Sequence, residues 1–230
     1  MPSNNRMPPA TARTMVRTAL KGALATIDVR SSTNLPPMAV PYASMVLLAT
    51  DSAGAPLTSI STLALHTKNL AQSTAASLLI DTSDATGDPD SGGRVSLTGN
   101  FVRVAPAAAR SRFLARHPSA AAYVDFGDFA FYRFEVTSAH LIEGFGRIIT
   151  ISRADIVPPD IDATTFSILE SETLQELHRQ WPDVTGFDWE GVDLNSAGLR
   201  KRLLFEAPAR TPTEAHSAAV HRLKSYRSAQ

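Results

Sequence analysis

The order of apolar, polar and turn-forming positions predicts a chain dominated by strands over its first two thirds. Residues 38–50 are apolar and nearly uncharged, which is typical of a strand buried on both faces. Asp51-Ser52-Ala53-Gly54 then predicts a hairpin turn, with a returning strand over residues 56–61. The same criteria predict further strands over residues 23–29, 77–81, 94–104, 129–142 and 148–151.

Helical periodicity predicts fewer elements. The expected helices cover residues 10–20, with Gly22 ending the first, and then 67–72, 106–116, 164–180 and 213–226. The composition changes near Ser152, and Val157-Pro158-Pro159-Asp160 predicts a linker. We therefore expect a flexible N-terminus over residues 1–12, a β-rich domain over 13–152 and a small α/β domain over 153–230. So many strands with turn signals favour closure into a barrel.

Composition narrows the function classes. The 230-residue chain has no cysteine, which excludes disulfides, thiolate nucleophiles, zinc–thiolate sites and iron–sulfur clusters. Its formal net charge is zero, so we expect neither a nucleic-acid partner nor an anionic-membrane partner. No signal-peptide core precedes residue 10, and no apolar run approaches the roughly 18–20 residues of a membrane span. A cytoplasmic protein is the expectation.

The segment Ser59-Ile60-Ser61-Thr62-Leu63-Ala64-Leu65-His66-Thr67-Lys68-Asn69-Leu70 concentrates polar chemistry between a predicted strand and a predicted helix. Ser59, Ser61 and Thr67 could donate hydroxyl hydrogen bonds to an anion, with Lys68 and a protonated His66 as counter-charges. In the alternative interpretation, Thr67 simply caps the helix and His66 is exposed. The first interpretation predicts a phosphate site.

The remaining candidates are histidines and arginines. No two of the six histidines have the His-x-x-x-His spacing of a helical metal site, so we expect no metal centre. A single histidine can still ligate haem iron, and His216 and His221 are the candidates, with a polar helix face as the alternative. The basic residues around Arg200-Lys201-Arg202 are interpreted as a solvated face. No residue is identified as a general acid or base.

Several motifs in a fixed order carry a family resemblance. They are Pro41-Tyr42-Ala43-Ser44-Met45-Val46, the segment 61–70, Arg116-His117-Pro118, Phe126-Gly127-Asp128-Phe129-Ala130-Phe131-Tyr132, Gly144-Phe145-Gly146-Arg147, and the tail from Val184 to Phe205. In these stretches the chain resembles the FMN-binding split-barrel superfamily of pyridoxamine 5′-phosphate oxidase-like proteins. Within it, the likeness is greatest to the haem-iron utilisation (HugZ-like) group, which often carries a small C-terminal α/β domain.

The resemblance implies an α+β fold, a mainly β split barrel that pairs as a homodimer with FMN at the interface. The flavin ring would lie along Ser44, Met45 and Val46, and the phosphate near His66, Thr67 and Lys68. Phe145 and Arg147 could approach the cofactor edge; the alternative is a turn with an exposed arginine.

One departure from the family pattern concerns charge. Members that oxidise pyridoxamine phosphate carry an arginine and a lysine where this chain has Ser44 and Ala49. The expected function is an FMN-binding oxidoreductase or flavoprotein acting on an unidentified small molecule, linked to haem-iron utilisation. The alternative is a haem-binding or haem-degrading protein, or a non-catalytic ligand-binding dimer, on the same fold without flavin.

Overall fold

The computed structural model describes residues 7–32, 35–82, 92–143, 147–157 and 163–229. Its internal contacts divide the chain into two compact units. The first unit comprises Met1–Thr50 with Ala55–Val157, and the second comprises Asp51–Gly54 with Pro158–Gln230. Within the described ranges, no helix combines the length and the apolarity needed to cross a membrane.

The first unit contains eight strands and four α-helices among its described residues. In chain order they are α1 (Pro8–Thr18), β1 (Lys21–Ser32), β2 (Leu35–Leu47), β3 (Ala49–Thr50), β4 (Pro56–Ser61), α2 (Leu65–Gln72), β5 (Ala75–Asp81), β6 (Gly93–Val104), α3 (Pro106–Arg116), β7 (Phe129–Glu143), β8 (Ile148–Ser152) and α4 (Arg153–Ile156). A 3₁₀ turn, Pro118–Ala122, follows α3.

All eight strands form one antiparallel sheet. The hydrogen-bonded order is β2-β1-β5-β6-β7-β4-β3, with β8 added on β7. β2 and β3 lie at opposite ends of this path, yet only Leu48 separates them in the chain. The sheet must therefore curl until its ends approach, which gives a split barrel rather than a flat sheet. The expected α+β split-barrel fold is confirmed.

Leu48 is the residue at which the chain leaves one ladder and joins another. Its N–H donates to the carbonyl of Leu20 over 2.9 Å, and its carbonyl lies 2.8 Å from Nε2 of His117. His117 is buried at the end of α3, so its ring supplies the hydrogen bond that neither ladder offers. The buried backbone groups at the crossing are thereby satisfied.

Two apolar clusters lie on the two faces of this sheet. The interior cluster includes Leu24, Val46 and Phe134, and the outer cluster packs Phe131 and Leu57 against Phe113 of α3. Residues paired directly across a ladder point to the same face, and successive residues alternate. If one strand residue belongs to a cluster, its cross-strand partner therefore lies on the same face of the sheet, and the residues before and after it in the chain lie on the other face.

Two expectations from the sequence need correction, on the end of α1 and on the burial of β2. α1 ends at Thr18, and Gly22 lies inside β1, where an added Cβ would sit 2.9 Å from Leu48 Cδ1. β2 is not buried on both faces, because Met45 is 62% exposed. At Gly99 the sequence predicts an interruption of the strand, and the register of β6 against β7 does shift there, where a Cβ would clash with the carbonyl oxygen of Glu135.

The second unit packs two helices with a three-stranded antiparallel sheet. Its elements are α5 (Ala163–Gln180), β9 (Val184–Phe187), β10 (Gly191–Ser196), β11 (Leu199–Leu204) and α6 (Pro212–Ser228), with strand order β11-β10-β9. The core contains both tryptophans, Trp181 and Trp189, together with Leu177 and Leu223.

Arg202 in β11 is buried, although the sequence suggested a solvated basic face. Its Nη2 donates to Asp188 over 2.6 Å and its Nη1 donates to Asp193 over 3.1 Å. The two carboxylates raise the pKa of the guanidinium above its ordinary value in spite of the burial. The prediction was wrong for Arg202 alone, since Arg200 and Lys201 are exposed. A basic run in sequence does not reveal that one of its members faces two acidic side chains.

The hydrogen bond between His117 and Leu48 gives a direct test of the crossing. His117→Phe keeps an aromatic ring but leaves the buried Leu48 carbonyl without its donor, and we expect it to lower the free energy of unfolding by about 1–3 kcal/mol. Urea unfolding followed by far-UV circular dichroism measures the change. The matched variant His140→Phe, at an exposed position of β7, should stay within about 0.5 kcal/mol of the parent protein. Equal losses in both variants would contradict the assignment.

Candidate functional site

A tight turn connects β4 to α2, and Asp128 holds it. The Ser61 hydroxyl donates to Oδ2 of Asp128 over 2.5 Å, and the N–H of Thr62 donates to the Asp128 carbonyl over 2.8 Å. The Ser61 oxygen also accepts from the N–H of Leu63 over 3.1 Å. The Ser61 proton is therefore committed to a carboxylate, and that carboxylate would repel a phosphate placed at the same hydroxyl.

The start of α2 differs from the predicted cap. The helix begins at Leu65, with Ala64 as the preceding residue, and the N–H groups of Thr67 and Lys68 donate to the Ala64 carbonyl. Thr67 is the third helical residue and is buried, and its hydroxyl has no hydrogen-bond partner among the described residues. The interpretation of Thr67 as the helix cap is wrong.

His66 contacts the strand that the resemblance places beside a cofactor. Its Nδ1 lies 3.0 Å from the Ser44 hydroxyl of β2, while its Nε2 is buried without a hydrogen-bond partner among the described residues. Burial lowers the pKa of the imidazole from its ordinary value of 6.5, because desolvation disfavours the charged form. At neutral pH His66 is therefore uncharged and does not act as the counter-charge considered from the sequence.

Strand alternation separates the other predicted contacts. Ser44 pairs with Leu24 and Val46 pairs with Gly22, so Ser44 and Val46 face the interior cluster, whereas Met45 faces outward. Ser59 pairs with Phe131, which belongs to the outer cluster. The side chains of Ser44 and Ser59 thus lie on opposite faces of the sheet, and Ser59 is buried. The structure brings His66 and Ser44 together but does not add Ser59 to them.

The positive charges near this segment are few. Lys68 on α2 is exposed and makes no ion pair with a described residue. Ala49, at the position of the family lysine, is buried in the outer cluster. Arg147 is exposed and pairs with Glu143 over 3.1 Å, while Phe145 lies outside the described residues. The described part of the segment therefore offers Lys68 as its free cation.

Unsatisfied polar atoms concentrate here. Within the described residues, seven buried side-chain nitrogen or oxygen atoms lack a hydrogen-bond partner; three of them belong to Ser59, His66 and Thr67 of this segment, and a fourth belongs to the adjacent Thr58. Native proteins leave few such atoms, so each calls for a missing partner such as a water or a ligand. This concentration distinguishes the segment from the rest of the described sheet.

The haem-ligand candidates of the second unit are both on α6. His216 places Nε2 3.8 Å from Oε2 of Glu176, and His221 is exposed. In the described ranges, no three or more His, Asp or Glu side chains gather as they would around a metal ion.

Sequence reasoning missed two contacts that define the site. Ser44 and His66 are 22 residues apart, and Ser61 and Asp128 are 67 residues apart. Neither pair forms a motif, and each depends on the register of strands distant in sequence. The resemblance named Ser44 and His66 separately, but nothing in their spacing showed that they touch.

Comparison with known proteins identifies the class of this barrel. The family model described as "CREG, beta-barrel" matches residues 3–158. The chain therefore belongs to the CREG beta-barrel family, within the FMN-binding split-barrel superfamily.

Individual relatives extend the comparison. Over 109 residues the chain is 43% identical to a protein of Arabidopsis thaliana named "Non-canonical heme oxygenase HOZ, chloroplastic"; the match covers 45% of this chain and 32% of the relative, so the chain spans about a third of that protein. Two solved structures share the fold over both units. One is the protein Atu2129 of Agrobacterium tumefaciens, described as of unknown function (21% identity, 96% of this chain and 97% of that one, TM-score 0.76). The other is a heme binding protein from Mycobacterium smegmatis (24% identity, 97% and 99%, TM-score 0.58).

The lowered pKa of His66 predicts a pH dependence of stability. The unfolded chain binds a proton at this histidine near pH 6.5, and the folded chain binds it only at lower pH. The contribution of neutral His66 is thus fully present above pH 6.5 and is lost as the pH falls through the lower folded pKa. Urea unfolding at pH 7.5 and pH 5.5 should show a larger loss for the parent protein than for His66→Gln. The same loss in both proteins would contradict the assignment.

Proposed function

We propose that this chain binds haem and takes part in haem breakdown, with His66 as the iron ligand. The observation that carries the proposal is the state of the His66 ring, which is neutral, held at Nδ1 by Ser44 and unpartnered at Nε2. Metal-ligating histidines commonly donate one ring N–H to a neighbour and present the other nitrogen to the metal. Bound haem would supply the iron, at which oxygen chemistry takes place.

The residues around His66 fit this ligand better than they fit a phosphate. Ser44 and Ala49 replace two cations, and Asp128 places a carboxylate at the Ser61 hydroxyl. A haem iron binds an uncharged imidazole, whereas a phosphate is bound best by several positively charged side chains. The relative named as a haem oxygenase and the solved heme binding protein support the same class of ligand.

Access to Nε2 requires a local movement, since this atom is buried. A buried polar atom without a partner costs about 1–3 kcal/mol. Turning the imidazole outward breaks no hydrogen bond at Nε2. The hydrogen bond between Nδ1 and Ser44 is lost in this movement unless the Ser44 side chain moves with the ring. Because Nε2 has no partner in the folded protein, a ligand that bonds to it would relieve this cost.

A hemin titration tests the proposal. The parent protein should give a sharp Soret band at micromolar hemin, and His66→Ala should weaken binding by at least about tenfold because the iron would lose the histidine nitrogen that holds it. Ser44→Ala should retain the band but weaken binding by about tenfold, since the ring is no longer oriented. Absorbance spectroscopy with purified protein measures both effects.

His140→Ala, at an exposed histidine of β7, is the matched control and should bind hemin as the parent does. Loss of the band in His216→Ala or His221→Ala, with His66→Ala unaffected, would move the ligand to the second unit and overturn the role of His66. With ascorbate, oxygen and catalase present, the Soret band should decay faster in the complex than in free hemin. Equal decay would reject haem breakdown.

FMN is the second candidate ligand, and the unpaired Lys68 in the first turns of α2 favours it. An exposed ammonium beside a helix N-terminus is suited to a phosphate. Lys68→Ala should then weaken FMN by about tenfold and leave riboflavin unchanged, because riboflavin lacks the phosphate. Fluorescence quenching measures both, with Lys21→Ala on β1 as the control. An equal loss of affinity for FMN and riboflavin would contradict a contact between Lys68 and the FMN phosphate.

The outward face of β1, β2 and β5 supports a homodimer. The outward residues in the central part of these strands carry no charge; they are Ala23, Ala25, Ile27, Pro41, Ala43, Met45, Ser77 and Leu79, and the charged Lys21 and Asp81 lie at strand ends on the same face. Exposed apolar patches of this kind mark association surfaces. Met45→Lys should reduce the sedimenting mass from two chains to one; an unchanged mass would place any interface elsewhere.

A further inference from the structure

Two side-chain hydrogen bonds attach α2 to neighbouring strands of the barrel. Nδ1 of His66 lies 3.0 Å from the Ser44 hydroxyl of β2, and Nδ2 of Asn69 donates to the Thr26 hydroxyl of β1 over 3.0 Å. His66 and Asn69 are three residues apart in the helix, so they lie on the same side of it, about one turn apart. Because β1 and β2 pair directly, α2 is bonded to two adjacent strands of one ladder.

The two attachments of α2 differ in burial. Thr26 and Asn69 are each 2% exposed and their bond is buried, whereas the bond between Ser44 and His66 is only partly buried. Thr26 lies two residues after Leu24 of the interior cluster, and alternation therefore places it on the same face. Water competes little for a bond in this position, and breaking it leaves a polar group unpaired in the interior. The bond of Asn69 is thus the firmer attachment.

This difference matters when the His66 ring moves. Nε2 is buried, so a ligand reaches it only if the imidazole turns outward, and the bond to Ser44 is then lost unless the serine follows. The bond between Asn69 and Thr26 does not involve the ring and can persist through the movement. Leu70, the next residue of α2, packs into the interior cluster and supports the same side of the helix.

We infer, building on the proposed role of His66, that Thr26 and Asn69 form a positioning pair for this histidine. Their hydrogen bond holds α2 against β1 while the imidazole exchanges Ser44 for a ligand. The pair acts through the helix backbone, because three residues separate Asn69 from His66. A histidine whose backbone is held in place loses less freedom on binding iron, and this raises the affinity.

A hemin titration of Thr26 variants of the full-length chain is the first test. Thr26→Val has nearly the shape of the parent residue but leaves Nδ2 of Asn69 without its acceptor, and it should weaken hemin binding by about tenfold. Thr26→Ser keeps the hydroxyl and should bind within about twofold of the parent. The matched control is Thr98→Val, which removes a hydroxyl bonded to Ser138 over 2.7 Å on the outer face of β6. It should bind hemin as the parent does, and equal binding by Thr26→Val would overturn the inference.

A double variant separates positioning from stability. Thr26→Val combined with Asn69→Leu removes both polar groups, so neither is left unpaired, and the urea midpoint should return toward that of the parent. Hemin binding should stay about tenfold weaker, because an apolar contact does not fix the helix as a directional bond does. Recovery of the midpoint and of hemin affinity together would reduce the pair to a stabilising contact and overturn its positioning role.

A measurement without haem keeps this result independent of the proposed function. In ligand-free protein labelled with ¹⁵N-histidine at pH 8, a His66 ring held by Ser44 in one tautomer should give two well-separated ring ¹⁵N signals, assigned with His66→Gln. In Thr26→Val the two signals should move toward each other, because a loosened ring samples both tautomers. Unchanged signals would overturn the inference. Failure of the parent to bind hemin would instead reject the haem proposal, and the ¹⁵N comparison would still decide the role of Thr26 and Asn69.

Discussion

The barrel depends on one backbone crossing, at Leu48. On one side of this residue the chain pairs with β1, and on the other side it pairs with β4 at the far end of the sheet. A buried crossing leaves an N–H and a carbonyl outside both ladders, and such groups are costly unless they are bonded. Leu20 and His117 provide those bonds, so the start of β1 and the end of α3 are both fixed to the same point. A sheet that lacked this crossing could not return upon itself.

The same crossing determines how the candidate site is built. Because β2 enters it in a fixed register, Ser44 and Val46 face the interior and Met45 faces outward. α2 then contacts β1 and β2 through the interior side, with Asn69 bonded to Thr26 over 3.0 Å and His66 to Ser44. β4 approaches from the opposite end of the path, with Ser59 on the other face. The site therefore lies on one face of the sheet. The imidazole of His66 and the hydroxyl of Ser44 meet on the interior face, while the hydroxyl of Ser59 in β4 lies on the other face.

The sequence is a good guide to the elements and a poor guide to their faces. α3 and β4 have the bounds that proline, turn and periodicity signals indicate, because those signals act within a few residues. The family resemblance supplied the split barrel, which local signals could not, since closure depends on pairings across the whole chain. Thr67 and Arg202 were misinterpreted for a common reason: a threonine near a helix start and an arginine in a basic run have ordinary local explanations. Their burial is decided by the turn at Ala64 in one case and by Asp188 and Asp193 in the other.

Charge is the property that separates the two candidate ligands. A phosphate binds where several donors and cations converge, and here one hydroxyl is committed to Asp128, another lies on the far face and the imidazole is neutral. These features do not oppose haem, whose iron takes a neutral nitrogen and whose ring takes apolar surface. Lys68 can serve either ligand, because a haem propionate and an FMN phosphate are both anions carried on a chain that is attached to a flat ring system. The discriminating atom is consequently Nε2 of His66: a haem iron would take its lone pair with the ring proton on Nδ1 toward Ser44, whereas a phosphate would accept from an Nε2–H in the other neutral tautomer.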